Sequence, residues 1–144
     1  MSIEIKSAEL YRDNVVELLT AQKLPTGDLP GLLKNFFVAV DDNKVTGVAG
    51  LEVYGNYGLL RSLAVNTDLQ NKGIGAILLD KIETLAAEKK LAAIYLLTET
   101  AKDYFEHKGY EHIARMDIPE DVKASSEFTH VCPESATAMQ KSLY

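Results

Sequence analysis

Residues 36–65 hold three β-patterned runs in succession, separated only by tight turns, and this limits the fold more than any other stretch of the chain. The first run, 36–40, meets a turn at 41–43; the second, 45–54, ends at Gly55-Asn56; the third returns over 59–65. Glycine and asparagine tolerate the backbone that two-residue hairpin turns require, so the runs predict an antiparallel meander. In the second run, one parity carries Val45, Gly47, Ala49, Leu51 and Val53. The other carries Thr46, Val48, Gly50, Glu52 and Tyr54. Both faces are partly apolar, which predicts a sheet covered on both sides.

Before the meander, residues 3–6 alternate as a short strand, and Ser7 is placed to cap a helix in which Leu10, Val15, Leu18 and Leu19 share a face. Pro25, Gly27, Pro30 and Gly31 interrupt the pattern and leave room for a short second helix near 32–35. After the meander the period turns helical, with Ile74, Leu78, Ile82 and Leu85 aligned. An apolar run at 93–98 reads as a buried strand, and 101–108 as a short helix stopped by Gly109. Strands at 111–116 and about 136–143 complete the sheet, joined by a polar segment over 119–135. The expected class is mixed α/β: a mostly antiparallel sheet with helices on both faces and a single strand–helix–strand crossover. A doubly wound dinucleotide fold would need several.

A chain of 144 residues is expected to form one domain, 1–144. Its 21 acidic residues against 15 Lys and Arg give a net charge of -6, which argues against a nucleic-acid partner, since phosphate neutralisation needs a basic surface. Cys132 is the only cysteine, so no intrachain disulfide can form. The first residues lack the apolar core of a signal peptide, and no window approaches the roughly 18 apolar residues of a membrane span. These features fit a cytoplasmic protein with no membrane partner.

The chemistry is concentrated after the third run. Leu63-Ala64-Val65 leads into a loop containing Gln70, Asn71, Lys72, Gly73, Ile74, Gly75 and Ala76, which opens the amphipathic helix. The first turn of a helix leaves N–H groups without internal acceptors, and its dipole adds positive character there. Such a turn can seat a pyrophosphate. Glycines at 73 and 75 would let a phosphate approach the backbone closely, and Lys72 could add a mobile charge. A Walker loop would need Lys-Ser/Thr after Gly75, where Ala76-Ile77 stands. A dinucleotide fingerprint would need a small residue where Leu78 stands.

Gln70-x-x-Gly73-x-Gly75 after Leu63-Ala64-Val65 resembles motif A of the GNAT acetyltransferases, Gln/Arg-x-x-Gly-x-Gly/Ala. The element order resembles that fold over nearly the whole chain, and Tyr104-Phe105-Glu106-His107-Lys108-Gly109-Tyr110 resembles the family's closing helix. The resemblance implies acetyl-CoA as co-substrate. It implies that the backbone of Leu63, Ala64 and Val65 pairs with the pantetheine arm, that the loop from Gln70 to Ala76 holds the pyrophosphate, and that Phe105 lies along the cofactor. It further implies a sheet that splays between the strands ending at Val65 and Thr98, and it leaves homodimerisation open.

Acyl transfer to an amine requires a base for the amine, polarisation of the carbonyl and a way to accommodate the thiolate. The resemblance assigns the carbonyl donor to a backbone N–H of a bulged strand near Leu63–Val65. Many family members carry a tyrosine acid where this chain has Phe105. Tyr104 is adjacent but turned about 100° around the helix, so it is either the acid or a surface tyrosine. Glu52 is either the base or a partly exposed strand residue. Arg61 either binds a substrate carboxylate or pairs with Glu52. A narrower similarity links 59–65, 95–101, Ser126-Glu127-Phe128 and Cys132-Pro133-Glu134-Ser135-Ala136 to the small GNAT subfamily of arsenic-resistance operons. It implies a small amino-acid-like or toxic primary amine as substrate. His107, His112 and His130 lack metal-ligand spacing with Cys132, so no metal is expected. The competing functions are a catalytically impaired acyl-CoA-binding module, suggested by Phe105, and acetylation of a protein amine.

Overall fold

The computed structural model describes residues 3–24, 26–27, 29, 33–69, 73–98, 101–123 and 136–143. In chain order the elements are β1 (Ile3–Ser7), α1 (Arg12–Ala21), β2 (Phe36–Asp41), β3 (Lys44–Tyr54), β4 (Tyr57–Val65) and α2 (Ile74–Glu88). They continue with β5 (Ala93–Thr98), α3 (Lys102–His107), β6 (Glu111–His112), α4 (Glu120–Lys123) and β7 (Thr137–Ser142). The strands pair in the order β1-β2-β3-β4-β5-β7-β6, with β1–β2, β2–β3, β5–β7 and β7–β6 antiparallel and β4–β5 parallel, so the mixed α/β class expected from the sequence holds. No helix among the described residues is long and apolar enough to cross a membrane. The chain forms two compact units, Met1–Leu51 with Arg61–Leu85, and Glu52–Leu60 with Ala86–Tyr144.

In the first unit, β1 pairs with β2 from Ile3↔Asp41 to Ser7↔Phe37, and β2 pairs with β3 from Phe36↔Gly50 to Asp41↔Lys44. The hairpin turn between β2 and β3 uses left-handed Asp42 and Asn43, at φ 51° and 64°. A register shift at Ala39/Val40 disturbs the ladder, and the buried Thr46 hydroxyl donates to the Ala39 carbonyl at 3.1 Å. Helix α1 buries Val15, Leu18 and Leu19 among Phe36, Val38, Val40, Val48 and Ala64. A Cβ on Gly50 would come within 2.6 Å of Phe36 Cζ, so the missing side chain makes room for that ring. A Cβ on Gly47 would meet Leu78 Cδ1 at 2.9 Å and Ile74 Cγ2 at 3.2 Å, which places α2 over β3.

Two expectations in this unit are corrected. Leu10 is 93% exposed and does not share the face of Val15 and Leu18. Ser7 caps only a 3-10 turn over Ala8–Leu10, accepting from the Glu9 N–H at 3.4 Å, and the α-helix restarts at Arg12 with a new phase. The helix expected near 32–35 is a turn over the described residues 33–35. There the Phe36 N–H donates to Leu33 at 3.3 Å, and the Asn35 carbonyl already accepts from Leu51 at 3.0 Å. The chain has joined the sheet before a helix can form. Along α2, Leu78, Leu79 and Ile82 are buried while Leu85 is only half-buried.

In the second unit the start of β4 runs parallel to β5, with Tyr57↔Ala93, Gly58↔Ile94 and Leu59↔Tyr95. Strand β5 pairs antiparallel with β7 over its whole length, from Ala93↔Ser142 to Thr98↔Thr137. Leu59, Ala93, Tyr95, Ile118, Val122 and Ala138 form its buried cluster, flanked by Tyr54, Tyr57, Leu97 and Ile113. Helix α3 stops at Gly109 as expected, at φ 94°, and Lys141 Nζ donates to the Lys108 carbonyl at 3.1 Å.

The strand expected over 111–116 is corrected to Glu111–His112, followed by a 3-10 turn at Arg115–Asp117. The chain holds β7 as far as Ile113, whose N–H donates to Ala138 at 3.0 Å, and Arg115 Nη2 donates to Ala136 at 3.1 Å. The Asp117 N–H then closes on Ala114 at 2.9 Å and drops Ile118 and Val122 into the cluster, leaving Met116 at the surface. Burying those two residues outweighs extending an edge strand.

Candidate active site

The first unit holds Arg61, Leu63, Ala64, Val65 and the start of α2. Within β4, Ser62 takes a φ of 60°, a left-handed conformation that interrupts the pleat one residue before Leu63. This is the kind of local irregularity that the resemblance to a bulged strand implies. Arg61, 3% exposed, donates from Nε to the Ser62 hydroxyl at 3.2 Å. Beyond the irregularity, Leu63 and Val65 are half-buried and Ala64 is buried. The end of the strand stays on β3 through the Asn66 N–H, which donates to the Thr46 carbonyl at 2.8 Å. A 3-10 turn over Thr67–Leu69 follows, with the Asp68 N–H held by the Asn66 side chain at 3.0 Å.

Gln70, Asn71 and Lys72 lie outside the described residues. Gly73 has a φ of 83°, and among the described residues no atom beyond its chain neighbours lies within 4 Å of where its Cβ would stand. The positive φ favours glycine there, and none of the described residues beyond its chain neighbours crowds the position. The Ile77 N–H donates to Gly73 at 3.1 Å, the first rung of α2. The N–H groups of Ile74, Gly75 and Ala76 therefore precede the helix's own acceptors, at the positive end of its dipole. Ile74 is buried and anchors the turn, while Gly75 and Ala76 are half-buried. Strand end and helix start meet at one point: a Cβ on Gly47 would lie 3.2 Å from both the Ala64 carbonyl oxygen and Ile74 Cγ2. A helix start with these N–H groups, preceded by a residue without a Cβ, has the chemistry to seat a pyrophosphate.

Glu52, Tyr104 and Phe105 belong to the second unit. Glu52 is half-buried and accepts a hydrogen bond from the Tyr54 hydroxyl at 3.1 Å. Phe105 is buried, packed edge-on against Tyr104 (centroids 5.3 Å apart) and Tyr110 (5.5 Å). Tyr104 sits at the surface of α3, 36% exposed, with the Lys108 ammonium 5.6 Å from its ring centre. Tyr95 is buried edge-on to Tyr57, with centroids 5.8 Å apart. Burial, then the neighbouring Tyr57, push the Tyr95 phenol above its ordinary pKa of 10.0. Ser126, Glu127, Phe128, His130, Cys132, Pro133, Glu134 and Ser135 lie outside the described residues. Among the described residues no group of three His, Cys, Asp or Glu could hold a metal ion.

Two contributors escaped sequence reasoning. Gly47 reads as an ordinary strand glycine, and only the packing of α2 shows what its missing Cβ permits. Gln22 donates from its side chain to the Val65 carbonyl at 3.0 Å, across 43 residues of sequence, a pairing that no motif or period marks.

The acetyltransferase (GNAT) domain family matches residues 33–112, more than half of the chain. An uncharacterized N-acetyltransferase of Chlorobaculum tepidum is 31% identical over 91 residues, covering 62% of this chain and 58% of that protein. An amino-acid acetyltransferase of Ralstonia nicotianae is 32% identical over 91 residues, covering 62% of this chain and 20% of that protein. The chain thus spans less than two thirds of the length of the curated relatives it matches. Among solved structures, N-acetylglutamate synthase from Neisseria gonorrhoeae, complexed with coenzyme A and N-acetyl-glutamate, has a TM-score of 0.81 at 17% identity. That likeness covers 100% of this chain and 36% of the synthase.

Proposed function

Because the chain belongs to the GNAT acetyltransferase family, we propose that it transfers an acetyl group from acetyl-CoA to the primary amine of a small molecule. The observation that carries this reading is the first unit's junction of β4 and α2 at Gly47, where the left-handed Gly73 leads into the helix. In this reading the backbone of Leu63, Ala64 and Val65 holds the pantetheine arm. The N–H groups of Gly73, Ile74, Gly75 and Ala76 hold the pyrophosphate, with Gln70, Asn71 and Lys72 completing the loop. Phe105 supplies an apolar ring to the same co-substrate.

Acetyl-CoA supplies the acetyl group. Glu52 takes a proton from the attacking ammonium, leaving a nitrogen lone pair free to form the new C–N bond. A backbone N–H near Leu63 stabilises negative charge on the carbonyl oxygen as that bond forms. The C–S bond then breaks as the nitrogen releases its second proton to solvent, and Tyr104 is assigned to protonate the departing thiolate and to regain its own proton from solvent. A thiol pKa near 8.5 makes that last contribution modest. Arg61 is assigned to an acidic group of the acceptor.

The acceptor class we favour is an amino-acid-like or toxic amine, as in the arsenic-resistance subfamily that the sequence resembles. The Ralstonia relative, named as an amino-acid acetyltransferase, agrees in kind. The reading takes 1–144 as one cytoplasmic domain and leaves homodimerisation open. Phe105 favours a second reading, an acyl-CoA-binding module without turnover, and turnover of any amine would eliminate it.

Titration calorimetry with acetyl-CoA tests the proposal. Binding at about micromolar levels, weakened at least tenfold by Gly73→Val, is the expected result. Valine at a positive φ would distort the loop. No binding at about millimolar acetyl-CoA would remove the cofactor site and the enzyme reading together.

A further inference from the structure

Gln22 follows the last turn of α1, and its backbone N–H closes that helix on the carbonyls of Leu18 (3.2 Å) and Leu19 (3.1 Å). That leaves the side chain pointing out of a fixed backbone position, and its Nε2 donates to the Val65 carbonyl at 3.0 Å. The direction of this carbonyl follows from its neighbour. The Asn66 N–H points at β3, where it donates to Thr46. The Val65 carbonyl and the Asn66 N–H belong to one planar trans peptide unit, in which the two groups point to opposite sides. The Val65 carbonyl therefore faces the edge away from β3, and Gln22 reaches β4 along that edge.

The contact comes three residues after the left-handed Ser62, at the last residue of β4. A strand end beyond such an irregularity has more than one accessible path, and side-chain contacts select among them. Holding a long amide side chain costs rotamer entropy, and one amide–carbonyl bond returns little net stability. The larger consequence of the contact is geometric.

We propose that Gln22 is a positioning residue for acetyl-CoA, its side-chain amide fixing the Val65 end of β4 so that the strand's outer edge is preformed for the pantetheine amides. This rests on the reading of β4 as the cofactor strand. Preformed donors and acceptors bind more tightly because the ligand need not order them. Gln22 touches no reacting atom; it acts through Val65.

Calorimetry with acetyl-CoA on wild type, Gln22→Met, Gln22→Glu and Gln22→Lys, with a thermal melt of each protein, tests this. Methionine keeps the length and loses the polarity, glutamate keeps the shape and loses the N–H donor, and lysine keeps a donor at similar reach. The expected result is affinity weakened about three- to tenfold in the Met and Glu variants and largely restored in Lys, with melting temperatures close to wild type. Wild-type affinity in both Met and Glu would overturn the proposal. So would a loss of affinity that merely tracks a loss of melting temperature, or a Lys variant as weak as Met. Failure of the wild type to bind acetyl-CoA would instead sink the functional reading, and this inference with it.

Discussion

Ser62 holds a left-handed backbone inside a strand, at a cost of roughly 1–2 kcal/mol for a residue other than glycine. Such a residue persists only where its surroundings determine it. Here the Arg61 guanidinium bonds the Ser62 hydroxyl, and the Asn66 and Gln22 contacts hold the chain beyond it. Glu52 is a simpler case, a half-buried strand carboxylate that receives the Tyr54 hydroxyl. If Glu52 is the base, Glu52→Gln should lower kcat about 100-fold with the best amine found by screening, while acetyl-CoA affinity stays unchanged. A kcat within twofold of wild type would dismiss it. Tyr104→Phe should cost no more than roughly tenfold, because the leaving thiolate needs little help. The local sequence already placed Tyr104 off the face of Phe105, by the helical step alone. It gave no indication that Phe105 is sandwiched between Tyr104 and Tyr110, since the packing of Tyr110 depends on how the chain turns at Gly109.

Elements with a strong period were legible almost to the residue. β5 spans the residues expected, β3, β4 and β7 lie within two residues of expectation, and α2 begins at Ile74 as expected. Reading went wrong where two local signals competed. Ser7 is a good cap, but it caps a 3-10 turn, and the break before Arg12 shifts Leu10 out of the apolar face. The 111–116 run pairs with β7 only at its start, and the chain then turns so that Ile118 and Val122 are buried. The fit of β2 against β3 also depends on Gly50, whose hydrogen stands where Phe36 packs. Gly50→Ala should destabilise the protein by about 1–3 kcal/mol, read as a lower denaturant midpoint at unchanged slope. An unchanged midpoint would mean that the Phe36 ring moves aside freely.

At the scale of the whole molecule, alkaline stability should report on the second unit's core. Tyr95 is buried beside Tyr57, and its phenol is pushed above 10.0. The folded protein therefore keeps this proton at pH values where the unfolded chain releases it. The associated stability is complete below pH 10 and is lost as pH rises through the folded value. Denaturant midpoints measured from neutral pH to above 10 should fall in wild type and fall less steeply in Tyr95→Phe. Equal slopes would exclude Tyr95 as the source.

The sequence by itself determined the succession of strands, the mixed sheet, the crossover at α2 and the loop motif with its resemblance. Each of these is written in residues close together, through hydrophobic period, turn chemistry and glycine spacing. Only the tertiary structure decided that Gly47 admits α2 against the end of β4, that Gln22 holds Val65, and that Ser62 carries the irregularity of the strand. Close packing and hydrogen bonding there join residues distant in sequence, and such pairs leave no local pattern to read.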